Sequence, residues 1–226
     1  MNGEYAPFVE KVLNRAAEIA LSQFGKVSST TKPENNNQVL TETDLAVGQF
    51  VIGEISKAYP GHNIIDEEAG VIDKRSEYTW VIDPIDGTSN FASGVPNYGI
   101  FLGLLKQDVP WAGGTVQPAF NELYLAEKNQ GAFCNGKKIM VTSEINLRSL
   151  LVGYLIDSHT ENPEFTRKEC SLLAEIILNI RNLRVSGSGA IDAMRVAKGQ
   201  LGGFIDRKST RLNSSHSAKS RMPSSA

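Results

Sequence analysis

Cysteine and histidine are scarce, with two and three in 226 residues. Cys134 and Cys170 have neither the close spacing of a thiolate metal site nor the numbers of a disulfide framework, which excludes those small-domain classes and fits a reducing cytoplasm. No stretch approaches the roughly 18 consecutive apolar residues of a membrane span. Met1–Glu10 lacks a basic region followed by an apolar run, so no secretory signal is expected. Neither sign of charge dominates, the net value being −2, so the composition does not point to nucleic acid or to a membrane surface. What is present, 41% hydrophobic and 21% charged residues with 20 glycines and 9 prolines, suits a globular domain of many short elements.

The small net charge hides a division at Asp206. Five of the 23 basic residues and one of the 25 acidic residues fall in 206–226, which leaves 1–205 with a net charge of −6. The 206–226 segment admits three readings: a basic arm, an inert disordered extension, or a non-native tail. Its run from Asp206 to His216 resembles the translation of a common sequencing adapter, so the expected organisation is one domain over 1–205 and an adapter-derived, disordered tail over 206–226.

Helical spacing of Phe8, Val12, Ala16, Ile19 and Ala20 predicts a helix over Pro7–Phe24, and Val47, Val51 and Ile55 predict a second from Thr43 to Ala58. Ser28–Gln38, polar and rich in asparagine, reads as a mobile loop carrying Lys32. Strands are expected at Asn63–Ile65, Tyr78–Ile82, Tyr98–Leu105, Val109–Val116 and Glu122–Ala126. Asn135-Gly136 should turn a hairpin between Gly131–Phe133 and Lys138–Val141. A strand at Leu150–Leu155, a helix through Leu172, Leu173, Ile176 and Ile180, a strand at Leu183–Val185, a helix over Gly189–Lys198 and a strand start at Phe204-Ile205 follow. Blocks of helices and strands with antiparallel pairing in the middle indicate a layered α/β or α+β fold.

The chemistry sits between Asp44 and Asp86. Asp44, Asp66, Glu67, Glu68, Asp83 and Asp86 lie beside apolar runs, and Asp83 and Asp86 follow Trp80-Val81-Ile82 where a buried strand should end in a turn. Converging carboxylates desolvate badly unless a cation neutralises them, and oxygen-only ligands favour magnesium, calcium or manganese over zinc. Gly87-Thr88 then offers backbone N–H groups to an anion. A lone Asp-Pro-x-Asp-Gly suits solvated turn acids equally well. His62, after Pro60-Gly61, reads as an exposed turn residue, Cys134 as a packed thiol, and Asp192 as structural.

Trp80–Phe91 (WVIDPIDGTSNF) resembles the signature of the inositol monophosphatase family of lithium-sensitive, magnesium-dependent phosphatases. Asp66-Glu67-Glu68 is similar to that family's Gly-Glu-Glu segment, Thr41–Asp44 to its Thr-x-x-Asp element, Gly131–Gly136 to its glycine-rich hairpin, and Ser186–Ala190 with Val196–Gly199 to its sugar-side helix. The resemblance implies an α/β layered sandwich in which Glu67, Asp83 and the Ile85 carbonyl hold a first Mg²⁺, Asp83 and Asp86 contribute to a second, and Glu67 reaches a third. It implies that Asp44 and Thr88 orient and deprotonate the attacking water. Gly87 and Thr88 N–H groups would receive phosphate, and Asp86, Gly189 and position 206 would contact the substrate hydroxyls. Lys32 and Glu68 match residues close to the metals, and Asp206 stands where the family has a substrate-binding Glu. The family's Trp-Asp-x-Ala-Ala-Gly segment, which completes the second metal site, has no counterpart in 206–226. The expected fold is therefore incomplete at its C-terminus and the chain as written is expected to have little activity. The implied protein is a cytoplasmic hydrolase of a small phosphate monoester, inositol monophosphate first, with fructose 1,6-bisphosphate and histidinol phosphate as other substrates, and a homodimer.

Overall fold

The computed structural model describes residues 3–26, 29–32, 35–156 and 162–206. Its main sheet has eight strands in the order β10-β9-β8-β7-β6-β5-β3-β4, built from β3 (Asn63–Asp66), β4 (Gly70–Ile72), β5 (Tyr78–Asp86), β6 (Gly99–Lys106), β7 (Val109–Gln117), β8 (Glu122–Glu127), β9 (Gly131–Cys134) and β10 (Lys137–Ile139). All neighbours are antiparallel except β3 and β5, which run parallel. The β9–β10 turn uses Asn135 and Gly136 at φ 47° and 73°, the left-handed pair that a two-residue hairpin requires.

Two helices cover this sheet, α1 (Ala6–Gln23) and α2 (Glu42–Ala58). Their apolar stripes, Val9, Val12, Leu13 and Ala16 on one and Val47, Val51 and Ile55 on the other, bury against Ile64, Trp80, Ile82, Ile100, Leu102 and Leu104 of the sheet. Full burial of each large aliphatic side chain is worth about 1.5–3 kcal/mol. This face is the core from which the strand ends emerge. A second sheet, all parallel, has the order β12-β11-β13 from β11 (Leu151–Leu155), β12 (Asn182–Arg184) and β13 (Gly203–Asp206). Between β11 and β12 the chain forms α4 (Pro163–Asn179), and between β12 and β13 it forms α5 (Gly189–Ala197), which packs on β11 and β13. Helices packed about sheets in layers agree with the expected α/β sandwich.

Several local expectations are corrected. The segment read as a loop over Ser28–Gln38 carries a β-hairpin, β1 (Ser29–Lys32) paired antiparallel with β2 (Asn35–Thr41). Its β-branched threonines suit paired strands. Strand β5 continues through Pro84 to Asp86, past the expected stop at Ile82. Asp83 faces Phe101 and Asp86 faces Gly99, so three steps on β5 oppose two on β6, and the extra residue of this bulge accommodates the proline. The short β4 is additional. His62 is half-buried, stacked 5.0 Å from Tyr59 and 4.7 Å from Tyr78, and its Nδ1 accepts a hydrogen bond from Trp80 Nε1 at 3.2 Å. Cys134 is buried, as expected of a packed thiol. Among the described residues no helix is long and apolar enough to cross a membrane.

Burial depresses the His62 pKa from its ordinary value by disfavouring the charged ring. A group with a lowered folded-state value stabilises the fold above its unfolded pKa of about 6.5, and that contribution is lost as the pH falls through the lower folded value. Protonation also removes the acceptor for Trp80. Thermal unfolding should therefore show a Tm that declines from pH 7 to pH 5, with the decline reduced in His62→Phe, which keeps the stacking and cannot titrate. Equal slopes in the two proteins would contradict this role.

Candidate active site

The site begins at the N-terminus of α2. Thr41 is the N-cap residue and Asp44 occupies the third helical position of a capping box. Asp44 Oδ2 accepts from the Thr41 N–H at 2.9 Å and from the Thr41 hydroxyl, so one face of the carboxylate is fixed by its own helix. The other oxygen, Oδ1, accepts from Thr88 Oγ1 at 3.1 Å, and the same hydroxyl lies 2.9 Å from the Ile85 carbonyl. Asp44 is 1% exposed. Burial raises its pKa from the ordinary carboxylate value, against the opposing hydrogen bonds from Thr41 and Thr88, which makes it a better proton acceptor than a solvated Asp.

Thr88 opens the short α3 (Thr88–Ala92) directly after β5. Gly87, its N-cap, has φ 87°, and a Cβ there would lie 2.8 Å from the Asn97 carbonyl and 3.1 Å from Ser188 Cβ. Only glycine meets both conditions. A short helix thus starts at Gly87-Thr88, whose N–H groups were read as an anion site.

Asp66 ends β3 and pairs with Ile82 of the parallel β5, so Glu67, first residue of the turn that follows, comes beside Asp83 of β5, and the Glu67 N–H bonds to the Ile82 carbonyl at 3.2 Å. Asp66 and Asp83 are 1% and 4% exposed. Asp66 Oδ1 accepts from the N–H groups of Glu68 and Ala69 at 2.9 and 2.6 Å, which closes a turn that contains Glu67. Its Oδ2 has no hydrogen-bond partner among the described residues and is pressed towards Gly48 of α2. Desolvation, with some repulsion from Glu67, raises the Asp66 pKa.

Asp86 turns towards the second sheet. Its Oδ2 accepts from Ser188 Oγ at 2.5 Å and from the Ala190 N–H at 2.6 Å, at the N-terminus of α5. Gly189 lies against the other oxygen, where a Cβ would stand 4.0 Å from Asp86 Oδ1. The Ser186–Ser188 loop is clipped to α3 because Asn90 Nδ2 donates to the carbonyls of Asn97 and Ser186 at 2.7 and 2.9 Å.

Of the residues picked out in the sequence, the structure brings Asp44, Thr88 and Ile85 into one hydrogen-bonded group, sets Glu67 beside Asp83, and seats Gly87 and Gly189 against Asp86. It does not draw the carboxylates into a closed cage: among the described residues no three His, Cys, Asp or Glu side chains form a cluster able to hold an ion. Glu68 is half-buried at the turn after Glu67, and Asp206 is half-buried at the end of β13, paired with Leu155. Lys32 falls on β1, and its side chain lies outside the described residues. Ser188 and Asn90 were given no role in the sequence, and Asp66 was picked out there only as one of the clustered carboxylates. The available signal for Ser188 was a serine immediately before a helical run, the pattern of an N-cap.

The donor set suits a hard divalent cation, since every group on offer is a carboxylate or carbonyl oxygen. The hydrogen-bond donors to Asp44, Asp66 and Asp86 are hydroxyls and backbone N–H groups, so their charge is only partly compensated. The orphaned, buried Asp66 Oδ2 points the same way.

Comparison with known proteins gives a consistent result. The profile of the inositol monophosphatase family matches residues 2–214. The chain is 31% identical over 198 residues to a fructose-1,6-bisphosphatase/inositol-1-monophosphatase of Thermotoga maritima, covering 88% of this chain and 73% of that protein. It is 31% identical over 208 residues to inositol monophosphatase 2 of Solanum lycopersicum, covering 90% and 78%. The solved structure of a Thermotoga maritima IMPase superposes with a TM-score of 0.78 at 29% identity, covering 88% of this chain and 74% of that one.

Gly87 makes the sharpest local demand. Gly87→Ala should cost about 1–3 kcal/mol, the order expected when a left-handed position and a close backbone approach are both violated. Denaturant unfolding measures the loss, and an unchanged midpoint would show that the β5–α3 junction is not constrained as described.

Proposed function

The chain belongs to the inositol monophosphatase family, and from that membership we propose that it is a magnesium-dependent phosphatase of a small sugar or polyol phosphate monoester, inositol monophosphate first. The observation that carries the reading is the Thr88 hydroxyl, 3.1 Å from Asp44 Oδ1 and 2.9 Å from the Ile85 carbonyl. A solvated turn would have no use for a buried carboxylate of raised pKa whose second oxygen is held against the Thr88 hydroxyl. In this reading Glu67, Asp83, Asp86 and the Ile85 carbonyl would hold magnesium, whose chemistry when bound would be to acidify a water and to offset charge on the leaving oxygen.

The chain's own part is positional. Asp44, locked by its capping box, accepts the Thr88 proton, which leaves Thr88 Oγ1 free to accept a hydrogen bond from the attacking water and set its line of approach. No phosphoenzyme is needed, because the threonine relays a proton and does not attack. Gly87 and Thr88 N–H groups face the phosphate, and Asp86 and Gly189 contact substrate hydroxyls. Glu67 shares in activating the water, and Lys32, Glu68 and Asp206 are outer candidates. The partner is a small phosphate ester in a cytoplasmic setting, and the assembly is a homodimer.

A second reading is favoured by the 73% of the Thermotoga maritima relative that the chain spans: the 226 residues bind the cation without turning over. Phosphate release with Mg²⁺ separates the two, on inositol monophosphate, fructose 1,6-bisphosphate and histidinol phosphate. Release by the chain as given supports the first reading; release only after the final quarter of a relative is appended supports the second. In whichever form turns over, Asp44→Asn and Thr88→Ala should each lower kcat by about 10²–10⁴-fold, the usual range for loss of general base assistance. Asp44→Asn should keep or raise Tm at pH 7, since it removes a buried charge and retains an acceptor for Thr41. Full activity in both variants would sink the proposal.

A further inference from the structure

Ser188 stands at a junction that the reaction scheme above leaves unused. It is 1% exposed and is the N-cap of α5, where its Oγ accepts from the Ile191 N–H at 3.3 Å. The single proton of the same hydroxyl goes to Asp86 Oδ2 at 2.5 Å, and the Ala190 N–H donates to that oxygen at 2.6 Å. One side chain therefore starts a helix of the second-sheet unit and grips a carboxylate of the main sheet.

The grip is held from both sides. Ser186 Oγ donates to the Ser188 carbonyl at 2.9 Å, and Asn90 ties the Ser186 carbonyl to α3 at 2.9 Å. Gly187, at φ 73°, packs so tightly on Asn90 that a Cβ would lie 3.1 Å from its Nδ2. The loop that carries Ser188 thus cannot move without disturbing the segment that follows Asp86. With Oδ2 occupied by two donors, Asp86 has Oδ1 to offer, on the side left open by Gly189.

We propose that Ser188 is a positioning residue: by holding Asp86 Oδ2 it fixes the carboxylate so that Oδ1 is presented to the cation, and it thereby couples docking of the α5 unit to cation binding. This rests on the reading of Asp86 as a cation ligand. Two events that share one carboxylate must influence each other reciprocally. Loss of a partner that orients a metal-ligating carboxylate typically weakens metal affinity 10–100-fold.

The test compares Ser188→Ala, Ser188→Gly and Ser188→Thr in the full chain, reading Mg²⁺ affinity by calorimetry and Tm without metal. A mere helix cap predicts that alanine is worse than glycine and that Mg²⁺ affinity stays constant, because glycine is a tolerable N-cap. Positioning predicts that alanine and glycine weaken Mg²⁺ binding alike, by about tenfold or more, and that threonine, which keeps the hydroxyl, restores it. It also predicts that Asp86→Ala and Ser188→Ala are non-additive in metal-free Tm, the double variant losing little more than the worse single. Mg²⁺ uptake by the unaltered chain with no change in the alanine and glycine variants, failure of threonine to restore it, or additive Tm losses would overturn this inference alone. Absence of uptake by the unaltered chain would overturn the functional reading and this inference with it.

Discussion

The structure is organised around the cost of keeping negative charge in a place that water barely reaches. Asp44, Asp66 and Asp83 are all but buried, next to a core of Val47, Ile64, Trp80 and Ile82. An ionised carboxylate in such surroundings is tolerated only where hydrogen bonds and opposite charge replace the lost hydration. Desolvation raises the pKa of both Asp44 and Asp66 in spite of their hydrogen bonds. The strain is local and purposeful in its placement, because all these groups stand at the ends of β3 and β5 or at the start of α2. A divalent cation is the simplest agent that would turn this arrangement from a liability into a stable one.

The scaffold fixes the carboxylates by three separate devices. Asp44 is held by a capping box, Asp66 by the turn it closes over Glu68 and Ala69, and Asp86 by the N-terminus of α5. The bulge in β5 lets one strand deliver both Asp83 and Asp86 with the Ile85 carbonyl between them. A negative group at the start of a helix is itself stabilising, by about 0.3–1 kcal/mol at exposed sites, so Asp86 serves the fold as well as the site. Two hydrogen bonds join distant parts of the chain. Thr88 links β5 to α2, and Ser188 links β5 to the parallel sheet, so the site sits where three packed units meet.

Much of this was legible in the sequence where a physical signal was strong. The spacing of Val47, Val51 and Ile55 marks α2 to the residue at its C-terminal end, and Asn135-Gly136 marks its hairpin because few other residues accept two left-handed positions. Thr88 and Asp86 were reached through the Trp80–Phe91 motif that contains them, and Asp44 through the Thr41–Asp44 element. The misses share a cause, which is that local composition was read without its tertiary partners. The asparagine-rich start of β2 looks like a loop until Val39–Thr41 and Asn35 pair with β1. Pro84 looks like a strand stop until the bulge in β5 absorbs it. His62 looks like a turn residue because nothing local shows that Tyr59, Tyr78 and Trp80 enclose it. Ser188 was missed for the same reason: its partner is 102 residues away.

The central claim is that the ends of β3 and β5 exist to grip a hard divalent ion. Crystals grown with Mn²⁺, whose anomalous scattering locates it without ambiguity, test this most directly. The account predicts a peak bounded by the carboxylates of Glu67 and Asp83 and the Ile85 carbonyl, and displaced by excess Mg²⁺. A map with no peak there, or with Mn²⁺ bound only elsewhere on the surface, would contradict it.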